Sequence, residues 1–156
     1  MSETITTTFP RLEARNLEGR NFSLPGDFEG ERNLAIVAFK QWHQRLVDSW
    51  VPHLKGLQAQ HADLRVYELP TIAWPYLFMR WVIDGGMTAG IPDKAVREVT
   101  LTVYTDLNNV TRPLNITNTD TIHLFLVDKT GRITWRGQGG FDEGQLAGLA
   151  EVLSKV

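Results

Sequence analysis

The 156-residue chain contains no cysteine. Thiolate chemistry, whether as nucleophile, metal ligand or disulfide partner, is closed to it, and the redox compartment goes unmarked. No run approaches the roughly 20 apolar residues that span a bilayer. The opening MSETITTTFP has neither the basic start nor the apolar core of a secretory signal, so a soluble, cytoplasmic protein is expected. Excess basic charge is missing too. Sixteen Lys and Arg against 18 Asp and Glu give a formal net charge of −2, with the cations scattered, so no nucleic-acid partner is expected. No glycine-rich loop supports a nucleotide cofactor.

What the chain does have is concentrated in Leu34–Leu54, LAIVAFKQWHQRLVDSWVPHL. Leu34–Phe39 is apolar without a polar break, the pattern of a strand buried on both faces of a helix-covered sheet. From Leu46 onward apolar residues fall at 46, 47, 50, 51, 54 and 57, the spacing that gives a helix one apolar stripe. Pro52 lies inside that stripe, where it deletes one backbone hydrogen bond and bends the helix.

Length and a hydrophobic content of 42% predict one domain over 1–156, with a loose, Thr-rich segment at 1–8. FPRLEARNLEGRNFSLP alternates around Leu17-Glu18-Gly19-Arg20, predicting a hairpin. Leu64–Leu69 predicts a second strand, ended by Pro70. Trp74–Met87 predicts a helix opened by Pro75 and stopped by Gly85-Gly86; Ile91-Pro92-Asp93 opens a shorter one, reaching Val99. Residues 100–118 mix β-formers with Asn and Pro, which predicts a short strand and an irregular connection. Thr121–Val127 and Arg132–Arg136 flank a tight turn at Asp128-Lys129-Thr130-Gly131. Asp142 and Gln145 predict a capping box for a last helix that buries Leu146, Leu149, Ala150 and Leu153.

On a helical wheel of about 100° per residue, Arg80 and Asp84 are the polar positions of the Trp74–Met87 helix, and apolar side chains fill nearly every other direction. Phe78, Trp81 and Val82 cannot face the same sheet as Tyr76, Met79 and Ile83. They are predicted to meet a protein partner or a second copy, as a homodimer through this helix; the alternative is a core helix roofed by residues 88–118. His43, His53 and His61 are spaced too far apart for a two-histidine metal pair, so solvated surface histidines and no metal are expected. Ser49 points away from Asp48 on the helix, so His43, Asp48 and Ser49 do not predict a hydrolase.

The order of apolar strand, turn and proline-bearing helix resembles thioredoxin-like proteins. Their strand ends in a Phe five residues before the first redox cysteine, and their helix proline follows that cysteine by eight. Phe39 and Pro52 both point to Gln44, so the redox pair falls on Gln44 and Val47. The fold's buried carboxylate falls on Ala38. Its cis-proline, ahead of the late FLVDKTGRI hairpin, falls on Ile122. The resemblance implies an α/β protein, a thioredoxin-like α/β/α sandwich with an N-terminal β-hairpin and a mixed central sheet, without thiol–disulfide or peroxidase activity.

LVDSWVPHL and HLFLVDKTGRITWRGQG narrow the likeness to the assembly factors that help mature the mitochondrial ATP synthase membrane sector. Asp48, Ser49 and Trp50 match that family's helix step. Leu126, Val127, Asp128, Gly131, Ile133, Trp135 and Gly137 match its hairpin, while Thr134 stands where it has Arg. The resemblance implies a redox-inactive, non-catalytic binding module, chaperone-like toward a membrane-protein client, with no cofactor. Its candidate binding residues are His43, Asp48 and Trp50, beside Phe78, Trp81 and Val82. The other reading is a small-ligand protein or an enzyme of another class working in the vestigial cleft. There His43, Asp48, Asp120 and His123 are the titratable groups, and the helix N-terminus near Gln44 could hold a small anion.

Overall fold

A computed structural model describes residues 8–72 and 93–155. Its strands are β1 (Leu12–Asn16), β2 (Asn21–Leu24), β3 (Arg32–Ala38), β4 (Leu64–Ile72), β5 (Leu101–Tyr104), β6 (His123–Asp128) and β7 (Ile133–Gln138). Its helices are α1 (Gln44–Gln60), α2 (Lys94–Glu98), α3 (Asn108–Thr111) and α4 (Glu143–Ser154). The strands form one mixed sheet in the order β2-β1-β5-β4-β3-β6-β7. β4 runs parallel to β3 and β5; the other neighbours are antiparallel.

The apolar run becomes β3, between β4 and β6. Leu34 and Ile36 pack on one face with Trp50 and Leu54 of α1 and Leu149 and Leu153 of α4. Ala35 and Val37 pack on the other with Phe9, Phe28 and Phe125, roofed by Val110, Leu114 and Ile116. A strand with no solvent face needs no polar alternation, and each buried Leu, Ile or Val there is worth roughly 1.5–3 kcal/mol.

The N-terminal hairpin forms as its alternation predicts. Asn16 Oδ1 accepts from the backbone of Glu18 and Arg20 at 3.0 and 2.8 Å, and Gly19 takes the left-handed conformation at φ +87°. In α1 the stripe buries Val47, Trp50, Leu54 and Leu57, and the helix runs 17 residues through Pro52. Asp93 caps α2, accepting from Ala95 N at 2.9 Å.

Three predictions need correction. Pro70 does not end β4, which continues to Ile72. The ladder to β5 is interrupted there, between the Glu68–Thr100 bridge and the Thr71–Val103 pair, so the missing N–H falls in a gap. The connection after β5 contains one turn of helix, α3. The capping box of α4 is half made. Asp142 Oδ2 accepts from Gln145 N at 2.9 Å, but the Gln145 amide turns to Gln138, accepting from its N–H and donating to its carbonyl, both at 2.8 Å.

Trp74–Met87, with Phe78, Trp81 and Val82, lies outside the described residues. Among the described residues no helix is long and apolar enough to cross a membrane.

Candidate functional site

β3 ends at Ala38. The chain then turns through Phe39 and Lys40 into a single 3-10 turn, Gln41–His43, and α1 begins at Gln44. Lys40 is extended (φ −140°, ψ 151°) and His43 is already helical (φ −61°, ψ −16°). That reversal folds the His43 ring back under the turn. Its Nδ1 accepts from Phe39 N at 3.1 Å and Lys40 N at 3.3 Å, as a capping side chain does. The ring is fully buried, which corrects the expectation of a solvated histidine and removes His43 from the surface. Its Nε2 is buried and makes no hydrogen bond among the described residues, while the Asp120 backbone lies close to the ring.

Against this turn lies the segment before β6. His123 is buried, and its Nε2 meets the Asn118 carbonyl at 2.7 Å, so that nitrogen carries the hydrogen. Its ring meets Phe39 edge-on at 6.3 Å. The Asp120 carboxylate pairs with Lys40 Nζ, and that ammonium holds the carboxyl below its ordinary value. Burial lowers both His43 and His123 from the ordinary 6.5. Ile122, on which the resemblance puts the cis-proline, is fully buried.

The two positions on which the resemblance puts the redox pair differ in environment. Gln44 is exposed and Val47 is buried in the core beneath α1. Gln44 Nε2 donates to Asp48 Oδ1 at 2.9 Å and approaches Glu68 Oε1 at 3.5 Å. The half-buried Glu68 has its carboxyl raised, first by burial, with the Gln44 amide opposing. A cleft of about 740 Å³ opens beside it, bordered by Val51, Lys55, Arg65 and Val96. Asp48 stays exposed and accepts from the Gln44 amide.

Trp50 leaves the list of binding residues. It is fully buried, its Nε1 donates to Gly139 O at 2.9 Å, and its ring meets Phe141 edge-on at 5.5 Å. Ser49 is engaged as well, donating to Leu46 O at 2.6 Å and accepting from Phe141 N at 2.9 Å. It is no free nucleophile.

Sequence reasoning passed over Trp42. Its side chain is 46% exposed, the exposed large hydrophobic residue among those described, and it meets the His43 ring edge-on at 4.5 Å. The signal was available, since Trp42 lies outside the apolar stripe of α1. Among the described residues no three His, Asp or Glu side chains gather to hold a metal.

This architecture is that of a thioredoxin-like protein. A thiol:disulfide interchange protein from Bacteroides sp. aligns over 99% of this chain and 91% of its own, at 20% identity and TM-score 0.60. Yeast Sco1 with copper bound aligns over 99% and 96%, at 11% identity and TM-score 0.62. A putative thiol:disulfide interchange protein DsbE from Chlorobium tepidum aligns over 98% of both chains, at 13% identity and TM-score 0.59. At these identities the likeness is one of fold. No curated protein matches the sequence. The family described as ATP10 protein matches residues 4–156, and the chain belongs to that family, one of ATP synthase assembly factors.

Proposed function

We propose that this protein serves ATP synthase assembly as a non-catalytic binding module, receiving a client polypeptide on the turn around Trp42. The observation that carries this reading is the exposed indole at the end of β3, seated on a buried histidine that ties the turn to the sheet. A large rigid side chain at low entropy cost is a typical binding anchor. The Lys40–Asp120 pair beside it adds polar rim contacts. Thiol exchange is not part of the reading, because Gln44 and Val47 supply no thiolate. The client class is a membrane-sector subunit of the synthase, as membership in an assembly family supports. The apolar stretch Trp74–Met87 is proposed as a second contact, with the client or with another copy of the chain.

A photo-crosslinking residue at position 42 of the full chain, mixed with detergent-solubilised membrane-sector subunits of the synthase, tests this. Crosslinks from 42, and their absence from a probe at Lys129 on the β6–β7 turn, are expected. Trp42→Ala should weaken capture with the unfolding midpoint unchanged. Crosslinks from 129 and none from 42 would overturn the proposal.

A further inference from the structure

We propose that His43 is a proton-operated latch: the neutral ring holds the Phe39–His43 turn closed, and protonation opens it and repositions Trp42. The proposal rests on the docking reading only for its consequence to a client; the latch belongs to the turn itself.

The bonding of the ring defines its two states. Nδ1 accepts two backbone N–H groups, from Phe39 and Lys40. An accepting nitrogen carries no hydrogen, so the neutral ring keeps its hydrogen on Nε2. A second proton can therefore bind only at Nδ1. Once there, it sets an N–H against two N–H donors, so both bonds break and the end of β3 loses its tie to the first turn of α1. The imidazolium gains little in place: Nε2 is buried and makes no hydrogen bond among the described residues, and only the nearby Asp120 backbone favours its charge. A ring that is fully buried must rotate or move outward to hydrate its charge. Trp42 stacks edge-on against that ring and is its neighbour in the chain, so it moves too.

Among the described residues the groups facing the ring are Lys40 from its own turn, Asp120 through both its backbone and its carboxylate, and His123 from the segment before β6. Lys40 repels the imidazolium, and so does His123 once protonated. Asp120 attracts it, but its carboxylate is already engaged by Lys40. Burial opposes charge on both histidines. The latch is therefore closed at neutral pH and opens below the ordinary histidine value of 6.5. The asymmetry of the site is what makes this a switch. A buried histidine with both nitrogens paired would resist protonation as a unit, whereas Nε2 of this one makes no hydrogen bond among the described residues.

The test is nitrogen-15 NMR on the full chain, from about pH 7.5 to about pH 5. His43 should show the Nε2–H tautomer at the upper end and titrate below 6.5. Amide protection factors at Phe39 and Lys40 should fall at least about tenfold over the same range, with the Trp42 indole signal shifting in step. In His43→Asn the side-chain oxygen takes the Nδ1 position and does not titrate, so both amides should stay protected throughout. His123→Gln keeps an amide donor for Asn118 and should leave the transition in place. An Nδ1–H tautomer at neutral pH, unchanged protection at Phe39 and Lys40, or a transition abolished by His123→Gln would each overturn the latch. The titration of the unmodified protein decides the matter even where His43→Asn fails to fold. A clear amide transition without any crosslink from position 42 supports the latch and overturns the docking reading instead.

Discussion

Trp50 Nε1 donates to the carbonyl of Gly139 at 2.9 Å, and this bond joins the two sequence motifs that carry the family likeness. The Asp-Ser-Trp step of α1 and the segment after β7 are some ninety residues apart, yet Ser49 also receives the N–H of Phe141. Gly139 sits at φ +84°. A Cβ on Gly140 would lie 3.3 Å from Leu46 Cδ2 and 3.5 Å from Ser49 Oγ. The motif pair is thus a structural clasp, with a close backbone approach that glycine permits.

Trp50→Phe keeps most of the packing and removes the donor. The Gly139 carbonyl is then left without its partner, at a cost of about 1–3 kcal/mol. Trp50→Ala adds a cavity, for a loss of about 3–5 kcal/mol. Urea unfolding followed by far-UV circular dichroism measures both. A Trp50→Phe midpoint equal to that of the unmodified protein would refute the clasp.

Gly56 lies within α1, and a Cβ there meets nothing within 4 Å. Gly56→Ala should therefore stabilise the fold by roughly 0.5–1 kcal/mol, the helix preference of alanine over glycine. Thermal unfolding reads this directly, and a lower midpoint would contradict it.

Gln44 and Val47 stand one helical turn apart at the start of α1. Changing both to Cys should allow a disulfide, whose Cα atoms prefer about 5.5–6 Å. Mass spectrometry after mild oxidation should show the loss of two hydrogens in a folded protein. Two persistently free thiols would mean that the lost pair belongs elsewhere in the turn. The unmodified protein should give no insulin-disulfide reduction above a buffer blank, and turnover by a pure preparation would overturn the non-catalytic reading.

Asp63 receives Arg32 through two bonds, at 2.8 and 3.2 Å, and Arg32 Nη1 also donates to Leu153 O at the end of α4. The guanidinium holds the Asp63 carboxyl below its ordinary 3.8. A lowered folded-state value means that the stabilisation is present above 3.8 and lost as pH falls through the folded value. The pair is partly exposed, so its worth is under about 1 kcal/mol. Asp63→Asn should lower stability at neutral pH by that amount and flatten the acid limb of the stability curve below pH 4. An acid limb of unchanged slope would show that Asp63 contributes nothing to it.

Elements whose pattern is local were legible in the sequence. Leu34–Phe39 reads as a doubly buried strand because both of its faces are apolar, and Gly19 and Asp142 announce a turn and a cap through their own backbone needs. What escaped depends on partners far away in the chain. Pro70 looked like a strand end because nothing near it shows that the facing ladder is broken. His43 looked like a surface residue because its polar ring follows Lys40, Gln41 and Trp42, and only the chain reversal at Lys40 tucks it under the turn. Trp50 is instructive in another way. The helical spacing already placed it in the buried stripe, and the family motif drew it toward a binding role that the fold denies.

The Gln145 amide bonds both backbone groups of Gln138 as a neighbouring strand would, on the side of β7 where the described residues form no further strand. At the other end of β7, Thr8 bridges Arg132 in antiparallel fashion. An outer strand closed at both ends offers little template for another molecule's backbone, which is how natural sheets avoid sticking edge to edge. At its two ends β7 thus leaves few backbone groups for a second copy to pair with. Along β7, recognition of a partner then falls to side chains, where it can be selective.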